Sequence, residues 1–591
     1  MRRIVTLTLA LVLAVAVRAE LVRPDVAARY AQGVLGMKEL PEPESPALMR
    51  APGRDTRSAD PDYYVFNNPA GGWVIIAADD RVNPVVAYSD EGSFSVTGIP
   101  DNIRWWMDGV SETIEAARAA DEQPSAAVRA AWRRAPRAGA PASGKVVLET
   151  AHWGQSTPYN DQCPIVTGEN KRSLTGCVAT AMAIIMRYNR WPAQGKGVIG
   201  GYTTTTAKTY IPAYSIDDHV YDWDNLPLTD AGSSSAGWTS DQKSMIAQIM
   251  HDCGVAVNMD YTSKTSGTSS GYMLSAIQQN MSFSESSVLI SRSSYRLDEW
   301  YSLIKNEIDN GRVVYYGGEG DAGGHAFVCD GYDTDGSKLS INWGWEGRYN
   351  GFYTLDLFDE DLGLDFSRSQ EAIIGLAPDT AQVDLDNVVT LACLFYDGLY
   401  GIRPVAPIDI VKGTAIKFDM GWFMNSLNQE VVADFKICLE DKDGNLRQEG
   451  WYSKCKIPAS DGYIYSNTTG NDVLSVYPAL TDRFRLYIKN GDGEWEPMHG
   501  NFDILPDIEG IMCGVTQDPV IMVPDGCAAG QEIDLSLTMG FTHVKSVRWS
   551  LNGTPIEGNK VKLVQGGNAI RADVVYLDDT TGSLFRTLKL E

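Results

Sequence analysis

Residues 175–183 read TGCVATAMA and place a cysteine at the start of a predicted helix. Apolar residues recur on one face of that helix over residues 178–185, and residues 188–192, which end in proline, close it. A thiol on a glycine-introduced corner before a helix lies among free N–H groups at the positive end of the helix dipole, which favours a thiolate. Cys177 is therefore the candidate nucleophile, and it needs a general base from elsewhere in the chain.

The candidate base is one of only six histidines. His325 opens the strand-like run HAFVCD and follows a glycine-rich stretch, residues 317–324, which is predicted as a loop. A cysteine activated by a histidine is a common arrangement for nucleophilic acyl transfer. The pairing of Cys177 with His325 thus indicates a cysteine peptidase.

Two further segments supply partners for that pair. Gln155, in the run HWGQSTPYN, has a side-chain amide that can donate to an oxyanion together with the backbone N–H of Cys177. Asn342, at a predicted strand end, can accept from the imidazole, and Trp343 beside it can shield that hydrogen bond from water. A turn-stabilising glutamine or a packing tryptophan is the ordinary explanation of each piece alone. The order Gln, Cys, His, Asn-Trp within one region is more specific.

The chain resembles the streptopain family, bacterial secreted papain-like cysteine peptidases made as zymogens. Seven runs carry the resemblance: residues 71–81, 86–89, 153–160, 176–183, 323–328, 342–345 and 351–353. They cover roughly residues 60 to 360, and the remainder beyond about residue 378 has no counterpart in the minimal family member.

The resemblance implies a role for each candidate residue. By it, Cys177 is the nucleophile and His325 the general base and acid. Gln155 would be the oxyanion donor, and Asn342 and Trp343 would hold and screen the histidine.

The resemblance also implies where the substrate lies. Gly323, Gly324 and Trp345 are the predicted substrate-binding residues, since the glycine-rich segment before His325 would border the cleft. Protein or peptide substrates with an apolar side chain one residue upstream of the cleaved residue are expected, and neither an organic cofactor nor a metal is implied.

The N-terminus indicates export. Two arginines precede an apolar stretch over residues 4–17 that ends in small residues at Ala19, which is the pattern of a secretory signal peptide, residues 1–19. The apolar run is shorter than the roughly 20 residues that a membrane-spanning helix needs. We expect a secreted or cell-surface bacterial protein with no transmembrane segment.

Residues 20–144 are predicted to form an α+β pro-domain that inhibits the enzyme of the same chain. Strands are predicted over residues 63–66, 72–78 and 82–88, followed by an amphipathic helix over residues 103–120. A linker rich in Ala, Arg, Pro and Gly follows, and a cut between about residues 133 and 146 would release the pro-domain.

The rest of the chain is predicted as three domains, which makes the fold class α+β. A papain-like catalytic domain should occupy residues 145–378. Short apolar runs separated by turns predict two immunoglobulin-like β-sandwiches, residues 379–505 and 506–591. Their predicted roles include binding a cell surface or a host protein.

Composition excludes several classes of partner and site. The formal charge of −26 argues against nucleic acid or an anionic membrane. The nine cysteines are an odd number and show no C-x-x-C spacing, which argues against a zinc or redox motif. Most are expected to be buried as small hydrophobic residues.

Two alternative functions remain open at this point. Residues 267–271, GTSSG, match the nucleophile-elbow pattern of a serine hydrolase with Ser269 as the nucleophile, although a helix cap explains them better. The chain would otherwise be a non-enzymatic surface adhesin with a degenerate peptidase fold. The intact set of candidate residues speaks against that reading.

Overall fold

The computed structural model describes most of the chain up to residue 385 and separate strands beyond it. The described residues are 21–44, 60–119, 124–133, 144–228, 237–292, 295, 297–320, 323–333, 338–354, 370–383, 385, 391–394, 402–404, 417–420, 422–425, 431–440, 446–457, 462–464, 468–469, 483–490, 494–497, 499–500, 511–512, 521–524, 526–537, 544–576 and 581–590. The predicted signal peptide, most of the predicted linker and the division near residue 505 lie outside them.

The chain divides into two compact units. The first comprises residues 1–282 and 308–366, and the second residues 283–307 and 367–591. Among the described residues, no helix has the length and apolar character required to cross a membrane.

The N-terminal region of the first unit is α+β. Its elements are α1 Pro24–Val34, β1 Tyr63–Asn67, β2 Trp73–Ala77, β3 Val85–Ser89, α2 Asp101–Ala119 and α3 Ala126–Arg133. All five residues of β2, WVIIA, are buried, as expected for an apolar run covered on both faces. The three predicted strands and the predicted amphipathic helix are thereby confirmed.

The remaining elements up to residue 374 contain both candidate catalytic residues. They are β4 Lys145–Val147, α4 Cys177–Asn189, β5 Val198–Ile199, β6 Tyr202–Thr203, β7 Tyr210–Ile211, β8 Tyr214–Ser215, α5 Ser240–Ala256, α6 Ser270–Gln279, β9 Val288–Ser291, α7 Leu297–Asp309, β10 Val314–Gly320, β11 Gly323–Asp333, β12 Lys338–Asn342, β13 Gly351–Thr354 and β14 Gln370–Ile374. Helix α4 is buried from Val178 to Arg187 and ends at Arg190 in the left-handed conformation.

One antiparallel sheet organises the first unit. Its strands follow the order β1-β2-β3-β13-β12-β11-β10, and β4 pairs with β11 as well. The N-terminal strands therefore extend the sheet that carries His325, through the pairing of β3 with β13.

The prediction of a glycine-rich loop before His325 is wrong. Residues 317–320 continue β10 and residues 323–324 begin β11, with Gly318 opposite His325 in the hairpin. Glycines on neighbouring strands leave room for another chain segment to lie against them.

The described part of the second unit beyond residue 385 consists of strands. They are β15 Leu391–Leu394, β16 Ile402–Pro404, β17 Lys417–Met420, β18 Trp422–Asn425, β19 Val431–Glu440, β20 Leu446–Ile457, β21 Gly462–Ile464, β22 Thr468–Thr469, β23 Arg483–Asn490, β24 Glu496–Pro497, β25 His499–Gly500, β26 Ile511–Met512, β27 Ile521–Met522, β28 Glu532–Asp534, β29 Ser536–Leu537, β30 Val544–Leu551, β31 Thr554–Ile556, β32 Lys560–Lys562, β33 Gly566–Tyr576 and β34 Thr581–Leu590. Strands β19, β23, β30 and β33 lie on the apolar runs that predict strands over residues 431–439, 483–489, 545–551 and 569–576. Trp549 belongs to a buried apolar cluster with residues from β27 to β33, and the arrangement of these strands as two immunoglobulin-like sandwiches stays a prediction.

Candidate active site

Gly176 forms the corner that presents Cys177 at the first position of α4. Its φ of 89° lies in the region that favours glycine. A Cβ at this position would lie 2.6 Å from Sδ of Met259 and 2.9 Å from the carbonyl oxygen of Ser266. Backbone conformation and close packing both require glycine before the cysteine.

The Cys177 thiol lies against the strand that carries His325. Burial raises the pKa of Cys177, while backbone hydrogen bonds from Ala326, Val178 and Cys177 itself oppose the rise. The N–H groups at the helix N-terminus lower the pKa of Cys177, as predicted, but desolvation raises this pKa by more. The predicted thiolate is therefore not favoured in this form of the chain.

His325 lies at the start of β11 and is half-buried. Burial lowers the pKa of His325, and the nearby Asp101 carboxylate partly opposes this shift. The Nε2 atom is buried and has no hydrogen-bond partner among the described residues. The raised pKa of Cys177 favours a neutral thiol, and the lowered pKa of His325 favours a neutral imidazole.

Helix α2 covers the site, and two of its residues were not predicted from the sequence. The Trp105 ring centroid lies 6.5 Å from that of His325. A Cβ at Gly318 would lie 2.5 Å from Cζ2 of Trp105, so the indole fits only because that position is glycine. The amphipathic pattern predicted the helix but not which of its faces meets the histidine.

Asn102 is the second of these residues, and both polar atoms of its side-chain amide make hydrogen bonds. Nδ2 donates to the carbonyl oxygen of Trp343 at 3.1 Å, and Oδ1 accepts from Nε1 of Trp345 at 2.9 Å. Only 2% of Asn102 is exposed. One buried side chain therefore connects α2 to both tryptophans of the predicted site.

Gln155 lies close to Cys177 through its backbone. Its carbonyl oxygen accepts from the N–H of Thr175 at 3.3 Å, two residues before Cys177, and 4% of the residue is exposed. The neighbouring Trp153 carbonyl accepts from the N–H of Glu346 at 3.1 Å. The structure thus brings the predicted oxyanion donor to the same region as Cys177.

Asn342 makes different hydrogen bonds from those expected. Its Nδ2 donates to Oγ1 of Thr150 and to the carbonyl oxygen of Ala151, both at 3.0 Å, and its Oδ1 accepts from the N–H of Gly344 at 3.2 Å. Asn342 lies opposite Val328 in the β11–β12 ladder, three residues beyond His325. In this form of the chain its amide orients residues 150–151 and the turn after β12.

Trp343 is buried among aromatic rings and follows Asn342. Its ring centroid lies 4.6 Å from that of Phe327 and 5.1 Å from that of Tyr353. Phe327 is two residues after His325 on β11, so Trp343 forms part of the apolar surroundings of the histidine strand. Of the predicted substrate-binding residues, Gly323 and Gly324 begin β11, and Trp345 is half-buried against Asn102.

Ser269 is the N-cap of α6. Its side chain accepts from the backbone N–H of Tyr272, and Ser270 Oγ lies 3.0 Å from the Tyr315 hydroxyl. This confirms the helix-cap interpretation of the GTSSG run. Among the described residues there is no group of three or more His, Cys, Asp or Glu side chains placed to hold a metal ion.

Four of the cysteines are buried, as expected: Cys163, Cys253, Cys329 and Cys438. Burial raises the pKa of Cys163 to about 12 and also raises the pKa values of Cys253 and Cys329.

Two family models match the chain. The model described as the Peptidase C10 family matches residues 153–353, and the model described as the Spi protease inhibitor matches residues 19–114. The first match contains all the predicted site residues, and the second contains α2 up to residue 114.

Relatives from other bacteria match the same part of the chain. Streptopain from Streptococcus pyogenes (serotype M28, strain MGAS6180) is 32% identical over 340 residues, which are 54% of this chain and 81% of streptopain. The thiol protease/hemagglutinin PrtT of Porphyromonas gingivalis is 33% identical over 330 residues, and the match spans only 37% of its length. The solved structure of a prointerpain A fragment from Prevotella intermedia is 27% identical, covers 55% of this chain and 97% of its own, and gives a TM-score of 0.44.

Proposed function

The chain belongs to the Peptidase C10 family, the streptopain family of cysteine peptidases, and we propose that it is an exported endopeptidase zymogen that uses Cys177 and His325. The observation that supports the proposal is that the Cys177 thiol lies against the backbone of Ala326, the residue after His325, while Trp105 of α2 lies near the His325 ring. The match of residues 19–114 to an inhibitor model supports the same interpretation.

In the proposed reaction, Sγ of Cys177 attacks the carbonyl carbon of the scissile peptide bond. The oxyanion accepts hydrogen bonds from the Cys177 N–H and the Gln155 side-chain amide. His325 then donates a proton to the leaving amine, and the carbon–nitrogen bond breaks to leave a thioester. His325 next takes a proton from water, which attacks the thioester and releases a carboxylate product and the thiolate.

Asn342 and Trp343 are proposed to hold and screen the histidine. Trp343 packs on Phe327 of the histidine strand, which supports its part in this proposal. For Asn342, the proposed bond from the imidazole would go to Oδ1, which accepts one hydrogen bond here, from the N–H of Gly344, and can accept a second.

In this proposal the uncut chain is inactive because α2 keeps water away from Cys177 and His325. A half-buried thiol with a raised pKa near an imidazole with a lowered pKa carries little thiolate at neutral pH. Removal of residues before about 144 would let water reach both groups, lower the pKa of Cys177 and raise that of His325. The pair would then act as thiolate and imidazolium.

Alkylation of Cys177 tests this account of latency. The rate of reaction with a thiol-directed epoxide should be measured from pH 5 to pH 10 on uncut and cut chain. The uncut chain should react only at high pH, because its Cys177 pKa is raised, whereas the cut chain should react from weakly acidic pH upward. Identical profiles for the two forms would contradict the proposed role of α2.

Maturation and activity are tested by expressing wild type beside Cys177→Ala. Wild type should shorten by about the pro-domain and gain inhibitor-sensitive cleavage of casein, while the variant should stay long and inert. A variant that matures and cleaves casein like wild type would overturn the assignment of Cys177.

Further parts of the proposal have their own measurements. An apolar side chain one residue upstream of the cleaved residue is preferred. Measuring kcat/KM for a series of peptides varied at that position would test this preference.

Residues 1–19 direct export, and the N-terminal sequence of the exported chain would test a cut after Ala19. Residues 379–591 bind a cell surface or a host protein, which comparison of full-length and shortened chains on whole cells would test.

A further inference from the structure

The N-terminal region covers a second feature besides the catalytic pair, the outer edge of β13. Tyr88 and Ala87 of β3 lie opposite Phe352 and Tyr353, while the other edge of β13 pairs with β12. Removal of the pro-domain, which the proposed function requires, leaves β13 at the edge of this sheet. An exposed edge presents N–H and C=O groups that an added extended chain can pair with.

A side-chain site adjoins this edge, and Tyr88 fills it. The Tyr88 ring stacks on Phe352 with the centroids 5.1 Å apart and the planes at 14°. Its hydroxyl donates to Oδ2 of Asp333 at 3.0 Å. Nζ of Lys145 lies 4.8 Å from the centroid of Phe352 and 4.9 Å from that of Tyr88.

Phe352, Asp333 and Lys145 together form what we call the tyrosyl site. Asp333 and Phe352 follow the whole window of the proposed cut, and the mature enzyme also keeps Lys145 when the cut falls at the domain boundary before residue 145. Lys145 also pairs with Asp90, two residues after Tyr88, so the site fits a tyrosine with an acidic residue two positions later.

Gly351 makes the close approach to this edge possible. A Cβ at this position would lie 2.6 Å from the carbonyl oxygen of Tyr88 and 2.9 Å from Cζ2 of Trp73. The first residue of β13 is thus one that lets another backbone lie directly against the strand.

We infer that in the mature enzyme the β13 edge and the tyrosyl site bind an extended, tyrosine-bearing segment of a protein substrate, outside the catalytic cleft. This inference rests on the proposed function. Main-chain pairing with β13 supplies affinity, and the ring on Phe352 with its hydroxyl on Asp333 supplies specificity. Strand β13 is separated from β11 by β12, and Phe352 lies in the row of Ser340 and Gly331, six residues along β11 from His325. The two places are therefore about 20 Å apart, a span that a substrate chain with a flexible connection between its two bound parts can cover.

The same cleavage opens both places, which favours substrate as the occupant. Helix α2 covers His325 and β3 fills the tyrosyl site, and both belong to the region that maturation removes. The mature enzyme therefore gains its cleft and this second site in one step.

The test compares polypeptide substrates on the mature enzyme. Two substrates share one cleavable sequence and carry, through a flexible linker at either end, the segment VVAYSD or the segment VVAASA. The tyrosine segment should lower KM about fivefold for wild type and leave kcat unchanged. The advantage should disappear in Phe352→Ala and persist in Tyr210→Ala, a control that removes an exposed aromatic ring from β7.

A second variant keeps the test valid if Phe352→Ala fails to fold. Lys145→Gln should remove the preference for the acidic residue, measured with VVAYSD against VVAYSA, while the tyrosine advantage remains. Equal KM values for VVAYSD and VVAASA with wild type, or an advantage that survives in Phe352→Ala, would overturn the inference. So would a cut pro-domain that stays with the mature enzyme on gel filtration, because it would then be the occupant.

A short peptide without either segment separates this inference from the proposed function. Its hydrolysis by all variants, combined with no effect of the tyrosine segment, overturns the tyrosyl site alone. No hydrolysis of the short peptide by cut wild-type chain overturns the proposed peptidase activity, and the inference with it.

Discussion

At the residue scale, Gly176 decides how Cys177 is presented. Its φ is positive, and a Cβ at this position would lie against Met259. Backbone conformation and packing are therefore two independent reasons for glycine here. A side chain there would both strain the backbone, at about 1–3 kcal/mol, and displace the first turn of α4. The position of Cys177 therefore depends on a residue with no side chain.

Gly176→Ala should lower kcat/KM of the mature enzyme at least about tenfold, because the cost of the strained conformation shifts Cys177 from its place. The matched control is Gly168→Ala, since Gly168 has a φ of 83° but no neighbour within 4 Å of an added Cβ. Peptide hydrolysis by both variants is the measurement. Equal losses in the two would contradict the prediction, because strain at Gly168 does not act on the position of Cys177.

Asn102 is expected to hold the enzyme in its latent form. Asn102→Ala removes two buried hydrogen bonds between α2 and residues 343–345, each worth about 0.5–1.5 kcal/mol. The uncut variant should be alkylated at Cys177 about tenfold faster than wild type at pH 7. Asn68→Ala, in an exposed turn of the same region, is the control and should react like wild type.

An unchanged alkylation rate in Asn102→Ala would mean that Trp105 and the strand pairing suffice for latency. Mass spectrometry of the labelled peptide containing Cys177 would distinguish this outcome from labelling at another thiol.

At the scale of elements, strands β11 and β12 share a buried carboxyl. Asp330 accepts hydrogen bonds from Thr150 Oγ1 at 2.6 Å and Ser340 Oγ at 2.7 Å. Burial nevertheless raises the pKa of Asp330 to about 6, because hydroxyl donors do not replace the hydration of a carboxylate. The folded chain therefore binds this proton more tightly than the unfolded chain.

The sign of the resulting pH dependence follows from that shift. A carboxyl whose folded pKa is raised from about 4 to about 6 favours folding below pH 4, and this contribution is lost as pH rises through 6. Two pKa units correspond to about 3 kcal/mol. Asp330→Asn should remove this part of the pH dependence.

Denaturant unfolding at pH 4.5 and pH 7.5 measures the effect. Relative to wild type, Asp330→Asn should gain more stability at pH 7.5 than at pH 4.5. The exposed Asp161→Asn is the control and should show no such difference. A variant with the wild-type pH dependence would show that Asp330 is ionised in the folded chain across this range.

At the scale of the whole molecule, the second unit joins residues 283–307 to the chain after residue 367. Strand β14 pairs with β9, and Gly375 accepts from Ser287 Oγ at 2.8 Å and donates to Glu307 Oε2 at 2.8 Å. A chain that ends before β14 would leave these partners exposed to water.

Truncation should therefore show a sharp boundary between residues 366 and 380. A chain ending at residue 380 keeps the β9–β14 pair and should be soluble with a cooperative thermal transition. A chain ending at residue 366 should aggregate or melt at a lower temperature, because β9 loses its partner strand. Equal melting temperatures for the two chains would contradict the part assigned to β14.

The sequence alone was sufficient for most local features of this chain. Glycine before cysteine and an apolar stripe after it predict a helix that starts at a thiol, and alternating or continuous apolar runs predict the strands near residues 65, 75 and 87. These features depend on residues within a few positions of one another, so a local pattern contains them. The Ser269 cap was predictable for the same reason.

Tertiary structure alone decided how these pieces act on one another. The pKa of Cys177 rises because the folded chain buries its thiol against the backbone of Ala326 in β11, which is far from it in sequence. The contact of Trp105 with His325, the hydrogen bonds of Asn102 and the hairpin at Gly318 depend on strand register and on which face of a helix is turned inward. Desolvation and register are properties of the packed chain, so the sequence indicates which residues form the candidate site, while their pKa values and contacts depend on the fold.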